Sequence, residues 1–163
     1  MDIDIYRYIE GSKEARGLTV IIDVFRAFSL ECYLFSWGAE KIYPAGTVDE
    51  AQILARRLAE DYPDKKIITI GERQGIPLEG FTYGNSPSQI KVSITEFLEN
   101  TIAVHTTSAG TQGIVNSINA SEIITGSLVN ARAVSEYIKR INPDKVSLVA
   151  MGNSGIKEAP EDE

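Results

Sequence analysis

One cysteine, one histidine and one tryptophan stand among 163 residues. A lone cysteine, Cys32, cannot build an intramolecular disulfide framework and fits a reducing compartment. Its neighbours in "SLECYLFSWG" are apolar, so it reads as a core thiol. One histidine and one cysteine cannot complete a closed zinc ligand set either. Positive charge is also scarce. Sixteen Lys and Arg face 23 Asp and Glu, a formal net charge of −7. That excludes the basic surface on which nonspecific nucleic-acid binding depends. Any anion must be held locally, against the protein's own field. No apolar run reaches the roughly 18 residues that a membrane span takes. The start, "MDIDIYRYIEG", is acidic and has no basic n-region of a signal peptide. These absences predict a cytoplasmic protein without nucleic acid or membrane among its partners. The apolar faces of "SLECYLFSWG" would serve a core or a homo-oligomer interface equally well.

What is present is an alternation. The length suits one domain spanning 1–163, and 43% hydrophobic with 24% charged residues is ordinary for a globular chain. "DIDIYRYI" (Asp2 to Ile9) alternates polar and apolar, as a half-buried strand does. "LTVIID" (Leu18 to Asp23) is a continuous β-branched run, the pattern of a fully buried strand. It leads into the helix-length "RAFSLECYLFSWG", with Gly38 placed as a C-cap. "KIYPAG" is a short strand. "TVDEAQILARRLAEDYP" is the clearest helix, with a Thr47/Glu50 capping box at its start. "KKIITI", "TIAVHTT", "SEIITG" and "KVSLVAM" are further strands; helices are predicted from about Gly110 and over "SLVNARAVSEYIKRI". No repeat or interdomain linker interrupts them. The fold class is therefore α/β with a mostly parallel sheet covered on both faces. The stretch from Gly71 to Ile90 is the exception, a long loop of the kind that is usually functional.

Polar residues collect at the predicted strand ends. Asp23 and Arg26 follow "TVII"; Glu72 and Arg73 follow "IITI"; "HTTSAGT" follows "TIAV". Ser127 and Asn130 follow "EIIT", and Gly152, Asn153 and Ser154 follow "SLVA". In an open α/β sheet these ends share one edge, where ligands bind, so the pattern predicts one site built from five loops. "HTTSAGT" is a strand-to-helix turn. Its first helical N–H groups lack partners and carry partial positive charge. Gly110 permits close backbone approach, and Thr106, Thr107, Ser108 and Thr111 supply more hydroxyls than the single one an N-cap needs. An oxyanion such as phosphate fits this surplus. The turn is not a P-loop, because Gly-Lys-Ser/Thr is absent.

His105 continues the buried strand and reads as a core or supporting residue rather than a catalytic one. Asp23, Glu72, Asp162 and Glu163 offer the hard oxygen ligands that Mg²⁺ takes; the terminal "PEDE" reads equally as a solvated acidic tail. Asp23 could also pair with Arg26 or cap the next helix. Arg132 is a third cation near the edge or a surface arginine. In "GNSP", Pro87 suits the first position of a short helix, and Asn85 and Ser86 either donate to a ligand or cap that helix.

Taken in order, "VIIDVFRA", "GERQGIPLEGFTYGNSP", "HTTSAGT", "GSLVNARAV" and the final "EDE" resemble the motifs of the 2-phosphosulfolactate phosphatase family of coenzyme M biosynthesis. The resemblance runs from Val20 to the last residue. It implies a three-layer α/β/α sandwich and Mg²⁺-dependent hydrolysis of 2-phospho-3-sulfolactate to 3-sulfolactate and phosphate. The substrate is anionic at its phosphate, carboxylate and sulfonate. On this reading Asp23, Arg26 and Arg73 are catalytic. Asn85, Ser86, Thr106, Thr107, Gly110, Thr111 and Ser127 bind substrate, and Asp23, Glu72, Asp162 and Glu163 hold the metal. The chain does not resemble haloacid-dehalogenase phosphatases, which need Asp-x-Asp where it has Asp23 and then Phe25. It departs from the family in "HTTSAGT", where "TTNGT" is usual, and it is read as short at its C-terminus. The attacking group is either an activated water, which the carboxylate cluster favours, or Asp23 itself. The alternatives are a phosphatase for another phosphorylated hydroxy acid, a non-catalytic anion-binding module and an inactive scaffold.

Overall fold

The computed structural model describes residues 1–93 and 98–163. Strands β1 (Asp2–Arg7), β2 (Gly17–Ile22), β7 (Ala120–Gly126) and β8 (Lys145–Ala150) form one sheet in the order β1-β8-β2-β7, all parallel. Strands β3 (Lys41–Pro44), β4 (Lys66–Arg73), β5 (Ile76–Pro77) and β6 (Thr101–Thr106) form a second, ordered β3-β6-β4-β5. It is parallel except for the short β4–β5 hairpin. The fold is α/β, a three-layer α/β/α sandwich with mostly parallel strands. The strands divide between two sheets because helix α2 (Ala27–Ser36) carries the chain out of the first into β3, and α5 (Gly110–Asn116) carries it back from β6 to β7.

Helix α2 is apolar on most sides because it serves two cores. Its Leu30 and Leu34 pack with Ile68, Ile70 and Ala103 of the second sheet. Its Ala27 and Phe28 pack with Ile21, Val149 and Met151 by the first. Helix α3 (Val48–Asp61) covers the opposite face of the second sheet through Ala51 and Leu58, and the Thr47/Glu50 capping box is formed. Helix α6 (Ala131–Ile141) covers the other face of the first sheet, packing Val134, Tyr137 and Ile138 on Val20 and Val146.

Two stretches differ from the pattern-based reading. β1 ends at Arg7 rather than Ile9, and Tyr8, at φ 65°, opens helix α1 (Tyr8–Glu14). The helix folds back so tightly that a Cβ on Gly11 would lie 2.9 Å from Tyr6 Cβ, a constraint that alternation alone does not encode. The stretch from Gly71 to Ile90 is not structureless. β4 runs on through Glu72 and Arg73 and turns into β5, and helix α4 (Pro87–Ser93) starts at Pro87. Cys32 is half-buried rather than a core thiol, and burial raises its thiol pKa.

Candidate active site

A cavity of about 490 Å³ lies where strand ends of the two sheets meet. β2 delivers Asp23, Phe25 and Arg26; β4 delivers Glu72, Gln74 and Gly75. The turn after β6 gives Ser108, β8 gives Gly152 to Ser154, and the segment before α4 gives Asn85. The 3-10 turn at Pro160–Asp162 closes one wall. The C-terminal strand ends thus build a shared site, as an α/β topology dictates.

Five carboxylates line it, those of Asp23, Glu72, Glu158, Glu161 and Asp162, against one guanidinium, Arg26. Three of the five are buried and pinned by backbone amides. Ala27 N–H donates to Asp23 Oδ1 at 3.1 Å, and Gly110 N–H donates to the same carboxylate. Val24 and Gly152 N–H groups donate to the two oxygens of Asp162, each at 2.8 Å. Ser108 N–H reaches Glu72 Oε1 at 2.7 Å, and Gly75 N–H reaches Oε2 at 2.6 Å. Asp23 therefore accepts from the first N–H of α2 while lining the cavity. Burial pushes its pKa up to about 6, the nearby charge of Asp162 adds to the rise, and the amide donors oppose it. Burial raises Asp162 likewise.

The donor set has a clear chemical preference. An anion cannot enter a cleft this acidic unless positive charge accompanies it. Asp23 and Asp162 offer hard oxygens with lone pairs left after their amide bonds. Among the described residues no three His, Cys, Asp or Glu side chains are gathered into a metal cluster. Mg²⁺ takes one or two carboxylates and fills its octahedron with water and phosphate, so Asp23 and Asp162 would suffice to hold it.

The expected site residues do not all converge. Arg73 faces a neighbouring depression with Gly46, Thr47 and Gln112. Its guanidinium donates to Thr106 Oγ1 at 2.9 Å and to the Glu72 and Gly46 carbonyls at 2.7 and 3.3 Å, tying β4 to β6 and to the loop before α3. Thr106 is thereby occupied. Thr107 and Thr111 satisfy each other: each backbone N–H donates to the other's hydroxyl, at 2.8 and 3.2 Å. The hydroxyl surplus of "HTTSAGT" is spent on the turn itself. Gly110 does permit a close approach, but what approaches is Asp23, whose Oδ2 would lie 2.8 Å from a Cβ there.

Ser127 lines a separate apolar groove with Leu128 and Val134, and its N–H and hydroxyl both donate to Asn130 Oδ1. The loop after β7 is therefore absent from the shared site. Ser86 pairs with Ser88 at the start of α4 and does not line the cavity. Arg132 is a surface residue paired with Glu136.

Glu163 is also outside the cavity, drawn to Arg7, whose Nε lies 2.6 Å from Oε1. Glu163→Ala is expected to remove an exposed ion pair and to lower Tm only slightly; thermal unfolding of the two chains checks this.

Asn85 is buried and reaches the cavity. Behind it, His105 Nε2 lies 3.2 Å from Asn85 Oδ1, and His105 Nδ1 lies 3.0 Å from Glu31 Oε1. His105 was expected to be a core or supporting residue rather than a catalytic one, and it is wholly buried behind Asn85. Glu31 escaped the sequence reading, although a single carboxylate inside "SLECYLF" was the available signal. Glu158 and Glu161 escaped as cavity residues because an acidic tail is usually solvated. No helix among the described residues is long and apolar enough to cross a membrane.

With the geometry in place, the chain can be set beside known proteins. The family model described as 2-phosphosulpholactate phosphatase matches residues 4–162. A probable 2-phosphosulfolactate phosphatase of Carboxydothermus hydrogenoformans is 33% identical over 147 residues, 90% of this chain and 57% of that protein. A protein of the same description from Clostridium beijerinckii is 32% identical over 95% of this chain and 63% of its own length. A third, from Synechococcus, is 31% identical over 89% and 56%. The chain spans about three fifths of the length of these curated relatives.

Proposed function

The chain belongs to the 2-phosphosulpholactate phosphatase family, and from that premise we propose that it is a phosphoric monoester hydrolase acting on 2-phospho-3-sulfolactate, a step of coenzyme M biosynthesis carried out in the cytoplasm. The single observation that carries the reading is the pairing, in one cavity, of a buried amide-pinned carboxylate, Asp23, with the exposed guanidinium of Arg26. Glu72 lines the same cavity with both oxygens bound by backbone N–H groups, and Mg²⁺ would be held by Asp23 and Asp162. When bound, it supplies counter-charge and Lewis-acid polarisation of the phosphoryl oxygens.

The chain's own groups do the rest. Arg26 makes no ion pair among the described residues, so its fork is available to the phosphoryl oxygens, on which negative charge concentrates in the transition state. Asp23, which lines the cavity beside Arg26, is the carboxylate placed to take a proton from an attacking water. Asn85, buried at the cavity wall, orients the substrate.

The test is phosphate release from 2-phospho-3-sulfolactate with Mg²⁺ and again with EDTA. Release that EDTA abolishes is the expected result. Release indifferent to EDTA would overturn the metal reading, and no release would overturn the hydrolase reading. The span of three fifths of the relatives' length gives one competing reading, an anion-binding module. Calorimetric binding of 3-sulfolactate without turnover would mark it.

A further inference from the structure

His105 is wholly buried, and so is nearly all of Glu31. Each nitrogen of the ring faces an oxygen. The flanking strands place Pro44 and Ile70 beside His105, both apolar. Charge reaches the ring from Glu31 on α2 and from Asp23 at the end of β2. The amide oxygen of Asn85 only accepts, so the facing Nε2 must carry a hydrogen. On the other side of the ring Nδ1 lies 3.0 Å from Glu31 Oε1. Glu31 therefore fixes the ring, and the ring fixes the amide.

We propose that Glu31 and His105 are positioning residues that hold Asn85 with its N–H₂ group toward the cavity, as a donor to an anionic oxygen of the substrate. The inference deepens the phosphatase reading and rests on it. With Oδ1 tied to the ring, Nδ2 is the end of the amide left for the cavity. Turning the amide would add a carbonyl to a wall that already bears five carboxylates. Arg26 is the one cationic side chain lining that cavity among the described residues, so a ligand with several anionic groups needs neutral donors as well. Three buried polar groups also destabilise a core that apolar side chains of similar volume would fill more cheaply. An orienting role accounts for their placement.

The chain has a single histidine, so nitrogen-15 labelling gives one imidazole to read. In the wild type Nε2 is expected to carry its hydrogen, and in Glu31→Leu the two tautomers are expected to mix. A bare Nε2 in the wild type would overturn the proposal. A second measurement is titration with inorganic phosphate in the presence of Mg²⁺. Asn85→Asp replaces the donor by a charged acceptor and is expected to weaken binding by roughly tenfold or more. Glu31→Leu is expected to raise KM about fivefold while kcat stays within about threefold, an effect confined to substrate orientation. Equal phosphate affinity in Asn85→Asp and wild type would overturn it. Should Glu31→Leu fail to fold, the wild-type ring spectrum and Asn85→Asp still decide. A wild-type chain that neither binds nor releases phosphate removes the phosphatase reading, while the Nε2 signal separately decides which end of the amide faces the cavity.

Discussion

Asp23→Asn is expected to lower phosphate release by a thousandfold or more while leaving the chain folded, on the order of what removing a central electrostatic or proton-accepting group costs. Asparagine has the shape of aspartate and keeps one oxygen for the Ala27 or Gly110 N–H. It cannot accept a proton from water, attack phosphorus or contribute a charge to a cation. Near-wild-type turnover would therefore sink both the water mechanism and the Asp23 nucleophile. The same variant tests the electrostatics without substrate. Asp23 is pushed from its ordinary 3.8 up to about 6, chiefly by burial. A carboxyl raised in the folded state contributes stability below its unfolded pKa and loses it as pH climbs through the folded value. The metal-free wild type should thus lose on the order of 3 kcal/mol between about pH 4 and pH 6 through this group. The variant has no such loss, but forfeits about 1 kcal/mol for one imperfect amide bond. The difference in Tm between the two chains should move in favour of Asp23→Asn across that window and stay level above it. A difference that does not vary with pH would show that Asp23 titrates as a solvated carboxyl.

Most of the architecture was legible because it rests on local signals. Val48–Asp61 follows from its capping box and apolar stripe, and the buried strands from β-branched runs. Which strand joins which sheet was not legible, since a parallel crossover writes nothing in the sequence about its partner. The site was half legible for the same reason. Asp23, Arg26, Glu72, Asn85 and Asp162 share a cavity because they follow strands or loops that end on one side. Arg73 and Ser127 also follow strands, yet they turn elsewhere. Two carbonyls and Thr106 claim Arg73, and Asn130 claims Ser127. The hydroxyls of Thr107 and Thr111 looked free for a ligand because their reciprocal bonds form only once the turn closes. Glu163 looked like a ligand until Arg7, 156 residues away in sequence, captured it.

Arg26→Ala is expected to cost roughly a hundredfold to a thousandfold in kcat/KM, with Tm nearly unchanged. Arg26 is exposed, and its structural part is played by its backbone, whose carbonyl accepts from Leu30 N–H at 2.9 Å. Deleting the side chain therefore removes charge and donors from the cavity without opening a void in the core. The loss should fall on kcat more than on KM, because the phosphoryl group gathers charge on its oxygens only as the bond breaks. Arg26→Lys separates charge from geometry. A lysine restores the point charge without the planar fork, so it should recover part of the rate and not all of it. Full recovery by lysine would show that the field alone matters at this position. An unchanged rate in Arg26→Ala would place the phosphoryl group away from this wall, toward the depression where Arg73 is held, and would move the reaction out of the cavity that Asp23 faces.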